Sequence, residues 1–208
     1  MRVCLWAGLV PAVLAMTVPA LAEKIRFSPQ AFQVLGGLDD GSSSTAVSFE
    51  NFDGDLPENL RSRTIAFQSQ LAPGSIIVRT GQRKLYYILP DGQAVEYNVG
   101  VGRDGFTWNG TNTVSRKAEW PDWRPPTEMI ERERKRGHDL PDVMPGGPGN
   151  PLGARAIYLG DTQFRIHGTT QPWSIGKAVS SGCIRMLNEE VIDLYNRVQV
   201  GATVVVED

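Results

Sequence analysis

The chain has 208 residues, with 21 Lys and Arg against 23 Asp and Glu, and 41% of its side chains are apolar. A net charge of −2 argues against nucleic acid as the partner, because phosphate binding needs a basic face. The length suits one domain with an extension, and it suffices to bury a core without disulfide staples.

Residues 1–22 read as an address. Arg2 precedes an apolar run broken by Pro11 and Pro19, and Ala20-Leu21-Ala22 forms a small-x-small box ahead of Glu23-Lys24. That layout predicts a secretory signal peptide cleaved after Ala22, hence a periplasmic protein. A transmembrane helix needs about 20 uninterrupted apolar residues. Residues 23–60 show no apolar period and are punctuated by Gly36-Gly37, Gly41-Ser42-Ser43-Ser44 and Asp53-Gly54-Asp55. They read as an N-terminal arm.

Segments 75–80, 84–89 and 94–101 read as three strands, joined by Gly81-Gln82 and Pro90-Asp91-Gly92 into an antiparallel meander. Residues 103–155 read as looser, with Trp108, Trp120 and Trp123 among glycines and prolines. Within them, 129–136 predicts a short exposed helix whose alternating charges give no single-sign field. The breaker-rich loop 144–153 is expected to border a cleft and to order over substrate. Strands follow at 155–159 and 164–167, around Gly160-Asp161. Asn188 reads as a helix N-cap, with Glu189 and Glu190 in the first turn and Val191, Leu194, Tyr195 and Val198 on one apolar face. Gly201 ends that helix and 203–206 is the last strand. The fold class expected is mainly β, with mixed or antiparallel pairing and a short C-terminal helix.

The reactive residues cluster between Phe164 and Met186. Without residues 1–22 the chain keeps one cysteine, Cys183. A lone thiol in an exported protein is either buried and inert or kept for its reactivity. His167, one of two histidines, ends a strand just before Gly168, and Cys183 follows Gly182. A free thiol of pKa about 8.5 is only about 3% thiolate at pH 7. Lowering that value to about 6 gains roughly 2 kcal/mol, whereas enzymes need about 8 or more. An oxyanion donor, worth about 3 to 4 kcal/mol, therefore has to contribute. The backbone N–H groups of Gly182 and Cys183 are the candidates, and Arg185 can pair with a substrate carboxylate. The residues alone leave other readings open. Cys183 can be a small core residue, His167 a satisfied core histidine, Arg185 a partner of Glu189, and Ser180 a turn-holding hydroxyl. A zinc site from His138, His167 and Cys183 matches no standard spacing, so no metal or cofactor is expected.

His167-Gly168-Thr169 followed by Ser180-Ser181-Gly182-Cys183-Ile184-Arg185 resembles the signature of the L,D-transpeptidase catalytic domain, the YkuD type. Pro73-Gly74-Ser75-Ile76-Ile77-Val78, Gly100-Val101-Gly102-Arg103 and Asn150-Pro151-Leu152-Gly153 resemble its ErfK/YbiS-like branch. The resemblance places a catalytic domain at 61–207 and implies a β-sandwich-like fold. It implies Cys183 as nucleophile, His167 as base and then acid, and the Gly168 carbonyl as the group that orients the imidazole. It also sets Ser180 and Arg185 beside the substrate, with Tyr158 as a wall of the acyl pocket. The implied substrate is a peptidoglycan stem peptide, which loses D-Ala to form a thioester that an amine resolves into a 3-3 cross-link. Water, a free D-amino acid or a lysine of an envelope protein are alternative acceptors. A wall-binding module is the non-enzyme alternative, but it would have no need of a reactive cysteine. Ser181 stands where many members carry a histidine, so no role for that histidine carries over. The oligomeric state is left open.

Overall fold

Residues 58–208 are described by the computed structural model, and they form eleven strands and two α-helices. The expected signal peptide at 1–22 and nearly all of the 23–60 arm lie outside the described residues; Glu58–Leu60 is a 3-10 turn. In chain order the strands are β1 (Arg63–Ala66), β2 (Ile76–Arg79), β3 (Lys84–Leu89), β4 (Gln93–Asn98), β5 (Val101–Gly102) and β6 (Gly110–Glu119). Helix α1 (Thr127–Lys135) precedes β7 (Arg155–Leu159), β8 (Arg165–His167), β9 (Ala178–Ser180) and β10 (Ile184–Arg185), then α2 (Asn188–Arg197) and β11 (Thr203–Glu207). Nine strands form one sheet in the order β1-β4-β3-β2-β11-β6-β7-β8-β10, and β5 pairs with β9 in a small second sheet. Pairing is mixed: β2 with β11, β8 with β10 and β5 with β9 are parallel.

The expected meander is present as β2-β3-β4. Its second turn works because Asp91 and Gly92 both take positive φ, 59° and 67°, which reverses the chain. Alternation then sorts the side chains. Ile76 and Val78 enter the main core, while Ile77 joins Tyr86, Ile88 and Ala94 on the opposite face. Ile65, Phe67 and Leu71 cover that second face, so this end of the sheet is apolar on both sides.

Four strands, β1, β6 and the short β9 and β10, escape the sequence reading. β1 is a four-residue edge, Arg-Thr-Ile-Ala, laid against β4. β6 crosses the region read as loose; it is mostly polar, and Val114 is its one buried residue. It is a strand because β11 and β7 pair with its two sides, a tertiary cause that leaves little local pattern.

Helix α2 carries Val191 and Leu194, and Val198 just past its end, into the main core with Ile157, Ile166 and Ile184. Burying each such side chain contributes about 1.5 to 3 kcal/mol. Its buried Tyr97 neighbour on β4 donates to Asp193 Oδ2 at 2.6 Å, which fixes helix to sheet. At the other end Lys117 Nζ donates to the carbonyls of Tyr195 (2.6 Å) and Val198 (2.8 Å), neutralising the negative end of the helix. The N-cap expectation requires correction. Leu187 occupies the cap position and no side chain caps the helix. Asn188 is its first residue, and its amide is used elsewhere. Helix α1 forms near the expected place and buries none of its side chains.

Candidate active site

Strands β8 and β10 run side by side, with Ile166 opposite Ile184 and His167 opposite Arg185. The isoleucines point into the core, so alternation turns His167 and Arg185 to the other face. This register brings together residues eighteen positions apart in sequence.

His167 is buried, and its Nδ1 lies 2.5 Å from the Gly168 carbonyl. A carbonyl only accepts, so the proton sits on Nδ1 and Nε2 keeps its lone pair. Burial, reinforced by the Arg185 guanidinium, pushes the imidazole pKa down to about 3, while the Gly168 and Leu152 carbonyls partly oppose this. The ring is therefore neutral near pH 7.

Asn188 holds the loop that orients this ring. Its Oδ1 accepts from the Ala154 N–H at 2.9 Å, and its Nδ2 donates to the Thr169 carbonyl at 3.1 Å. The amide fits because Gly153 and Gly168 flank it; a Cβ on either would collide with Oδ1.

The Cys183 turn is fixed from within and from above. The buried Ser180 hydroxyl donates to the Cys183 carbonyl at 2.6 Å and accepts from the Gly182 N–H at 3.2 Å. Ser180 thus bonds within the turn that it shares with Cys183. The Gly182 N–H is engaged by Ser180, whereas the Cys183 N–H has no acceptor among the described residues. Gly182 has φ +106°, and a Cβ there would come within 2.6 Å of the Phe164 ring. Phe164 stacks on Trp108 at 4.7 Å, and Trp108 Nε1 donates to the Gly182 carbonyl at 3.1 Å.

The Cys183 thiol itself donates to the Gln163 carbonyl at 3.8 Å, and no hydrogen bond joins it to His167. Arg185 donates from Nη1 to Gln171 Oε1 at 3.0 Å. Burial lowers its pKa, and the neighbouring Cys183 opposes that. Tyr158 lies on β7 with the Arg116 guanidinium 3.7 Å above its ring. His138 is remote from this chemistry in kind: it pairs with Glu133 at 3.3 Å on the exposed helix end. The 144–153 loop borders the site through Leu152 and is already pinned. Nδ2 of buried Asn150, with two hydrogens to donate, sits among the carbonyls of Pro121, Met144 and Pro145, each at 3.0 Å.

The L,D-transpeptidase catalytic domain (YkuD) matches residues 73–206. This chain belongs to that family. It is 40% identical over 136 residues to the "Probable L,D-transpeptidase ErfK/SrfK" of Escherichia coli (strain K12), covering 64% of this chain and 44% of the relative. The chain thus spans less than half the length of that relative. It is 30% identical over 221 residues to the "Probable L,D-transpeptidase YcfS" of the same strain, covering 93% of this chain and 69% of the relative. Among solved structures, the Ldtfm-avibactam carbamoyl enzyme superposes with a TM-score of 0.52 at 20% identity, over 66% of this chain and 50% of that one. The catalytic domain of the E. faecium L,D-transpeptidase gives 0.50 at 19%, over 66% and 99%. At such identities these two show the fold alone: a mainly β L,D-transpeptidase catalytic domain.

The site of this L,D-transpeptidase domain also uses Trp108, Phe164 and Gln163, to which the sequence assigns no role, and Asn188, which was expected to cap α2. They act through contacts that no local pattern encodes.

Proposed function

We propose that the chain is a periplasmic peptidoglycan L,D-transpeptidase with Cys183 as nucleophile. The observation that carries this reading is the register of β8 and β10. It sets a neutral, oriented imidazole and a guanidinium on one face beside the one free thiol among the described residues.

In the first half-reaction the Cys183 side chain turns from Gln163 toward His167. Loose thiol–imidazole geometry before substrate arrives is common in such sites. His167 Nε2 takes the thiol proton, and the sulfur attacks the carbonyl at the L-centre of the third stem residue. The Cys183 N–H stabilises the oxyanion, and Arg185 favours the anionic sulfur. The imidazolium returns its proton to the leaving nitrogen, the C–N bond breaks, D-Ala departs, and a thioester remains. In the second half-reaction an amine attacks the thioester carbonyl. His167 takes its proton and passes it to the departing sulfur, forming the 3-3 cross-link. Residues 1–22 serve this activity as the export signal, residues 23–60 as an arm, and 61–207 as the catalytic domain.

The test is D-Ala release from a disaccharide-tetrapeptide, measured by chromatography with the mature protein and with Cys183→Ser. Release by the native protein and none by the variant is expected. Equal release from both would remove Cys183 from the mechanism.

A further inference from the structure

The sheet face that carries His167 extends away from Cys183 as cross-strand rows. Ala118, Ala156, His167 and Arg185 are successive Cα partners across β6, β7, β8 and β10. The next row on the same face is Arg116, Tyr158 and Arg165. Adjacent rows on one face lie about 7 Å apart along the strands. The Arg116 and Arg165 guanidinium carbons sit 3.7 Å and 5.7 Å from the centre of the Tyr158 ring. With Arg124 and Gln163 they line a groove of about 850 Å³. Gln163, which lines the groove, is also the residue whose carbonyl receives the Cys183 thiol at 3.8 Å, so it links the groove to the nucleophile.

Glu119, Asp122 and Glu128 line the groove too. Glu119 is paired with Arg155 at 3.1 Å, and Asp122 accepts from the Gly146 N–H at 3.1 Å. Arg116, Arg124 and Arg165 have no carboxylate partner among the described residues. Arg185 stands on the opposite side of His167, on the strand that follows Cys183, and is held by Gln171. Two guanidinium stations therefore adjoin the imidazole, Arg185 beside it on β10 and the Arg116–Arg165 row two residues along the strands.

We propose that the groove is the acceptor site and that Arg116 and Arg165 select amines whose own carbon carries a carboxylate. Such amines belong to the α-amino acid end of a second stem or to a free D-amino acid. The side-chain amine of a protein lysine, which lacks that carboxylate, is disfavoured. This inference rests on the transpeptidase reading. The amine forms a C–N bond at the thioester carbonyl, the C–S bond breaks, and His167 relays the proton from nitrogen to sulfur. The carboxylate, one carbon away, is held on the guanidinium row beside the imidazole.

The test uses the mature protein, a tetrapeptide donor, and two acceptors that differ only in the carboxylate: D-methionine and 3-(methylthio)propylamine. Transfer is measured with the native protein, the Arg116→Gln/Arg165→Gln variant and the Arg116→Lys/Arg165→Lys variant, and thioester formation is followed separately by mass. The native protein is expected to favour D-methionine at equal free-amine concentration. The Gln variant should lose about tenfold or more in kcat/KM for D-methionine, chiefly through KM. It should stay within about twofold for the propylamine and for thioester formation, and Lys should restore part of the loss. Equal use of both acceptors by the native protein, or equal losses in the variant, overturns the proposal. Slowed thioester formation overturns it as well, because the groove then serves the donor. Absence of any thioester on the native protein is a separate result, and it defeats the transpeptidase reading itself.

Discussion

The two ends of the nine-stranded sheet are built from the same alternation and use it differently. At the β1-β4-β3-β2 end both faces are apolar: one joins the main core and the other lies under Ile65, Phe67 and Leu71. At the β6-β7-β8-β10 end only one face is apolar. Ile157, Ile166 and Ile184 pack on α2, while the reverse face carries Arg116, Tyr158, Arg165, His167 and Arg185. The first end holds the fold and the second spends half of its surface on chemistry. Reactive side chains gain a rigid base because the core locks every second residue of the strands that bear them.

This contrast can be broken from either face. The largest effect is expected for His167→Gln, which keeps the polarity of the site but removes the base: thioester formation should fall by roughly 10² to 10⁴-fold, with folding retained. Mass-detected acylation rates check this, and a loss below about tenfold would deny His167 its role. On the core face, Ile166→Ala should cost about 2 to 5 kcal/mol by urea denaturation, since the side chain is fully buried. A cost below about 1 kcal/mol would mean that the core does not lock the catalytic strands. Asn188→Ala leaves the Ala154 N–H and Thr169 carbonyl without a partner, for about 1 to 3 kcal/mol. It should slow acylation more than Tyr97→Phe does. That change removes one bond at the far end, for about 1 kcal/mol of stability, with acylation unchanged.

The buried imidazole also gives a pH signature. Its folded pKa of about 3 lies below the ordinary 6.5, so between these values the unfolded chain binds a proton that the folded chain does not. Stability therefore falls as pH drops from about 6.5 towards 3. Urea midpoints at pH 7 and pH 4.5 should separate more for the native protein than for His167→Gln. Equal separations would contradict the burial of a neutral ring.

Much of this was legible in the chain itself, because some residues announce local geometry. The alternation of 75–80 and 84–89 and the Pro90-Asp91-Gly92 turn gave the meander. The spacing of Val191, Leu194 and Val198 gave α2, and the His-Gly-Thr and Ser-Ser-Gly-Cys segments gave the site. β6 was not legible, since its strand state comes from two neighbours and not from its own polar sequence. Asn188 misled for a related reason. Its type and place suit a cap, but two facing glycines offered its amide stronger partners across the site. The aromatic bracket of Trp108 and Phe164 over Gly182 and the guanidinium row across β6, β7 and β8 depend on register alone.

The central claim is that Cys183, based by His167, becomes a thioester. Intact mass of the mature protein incubated with a disaccharide-tetrapeptide, with Cys183→Ala in parallel, tests it most directly. The account predicts an adduct on the native protein equal to the donor less D-Ala, and none on the variant. An unmodified, folded and reduced native protein, or an equal adduct on both, would contradict it.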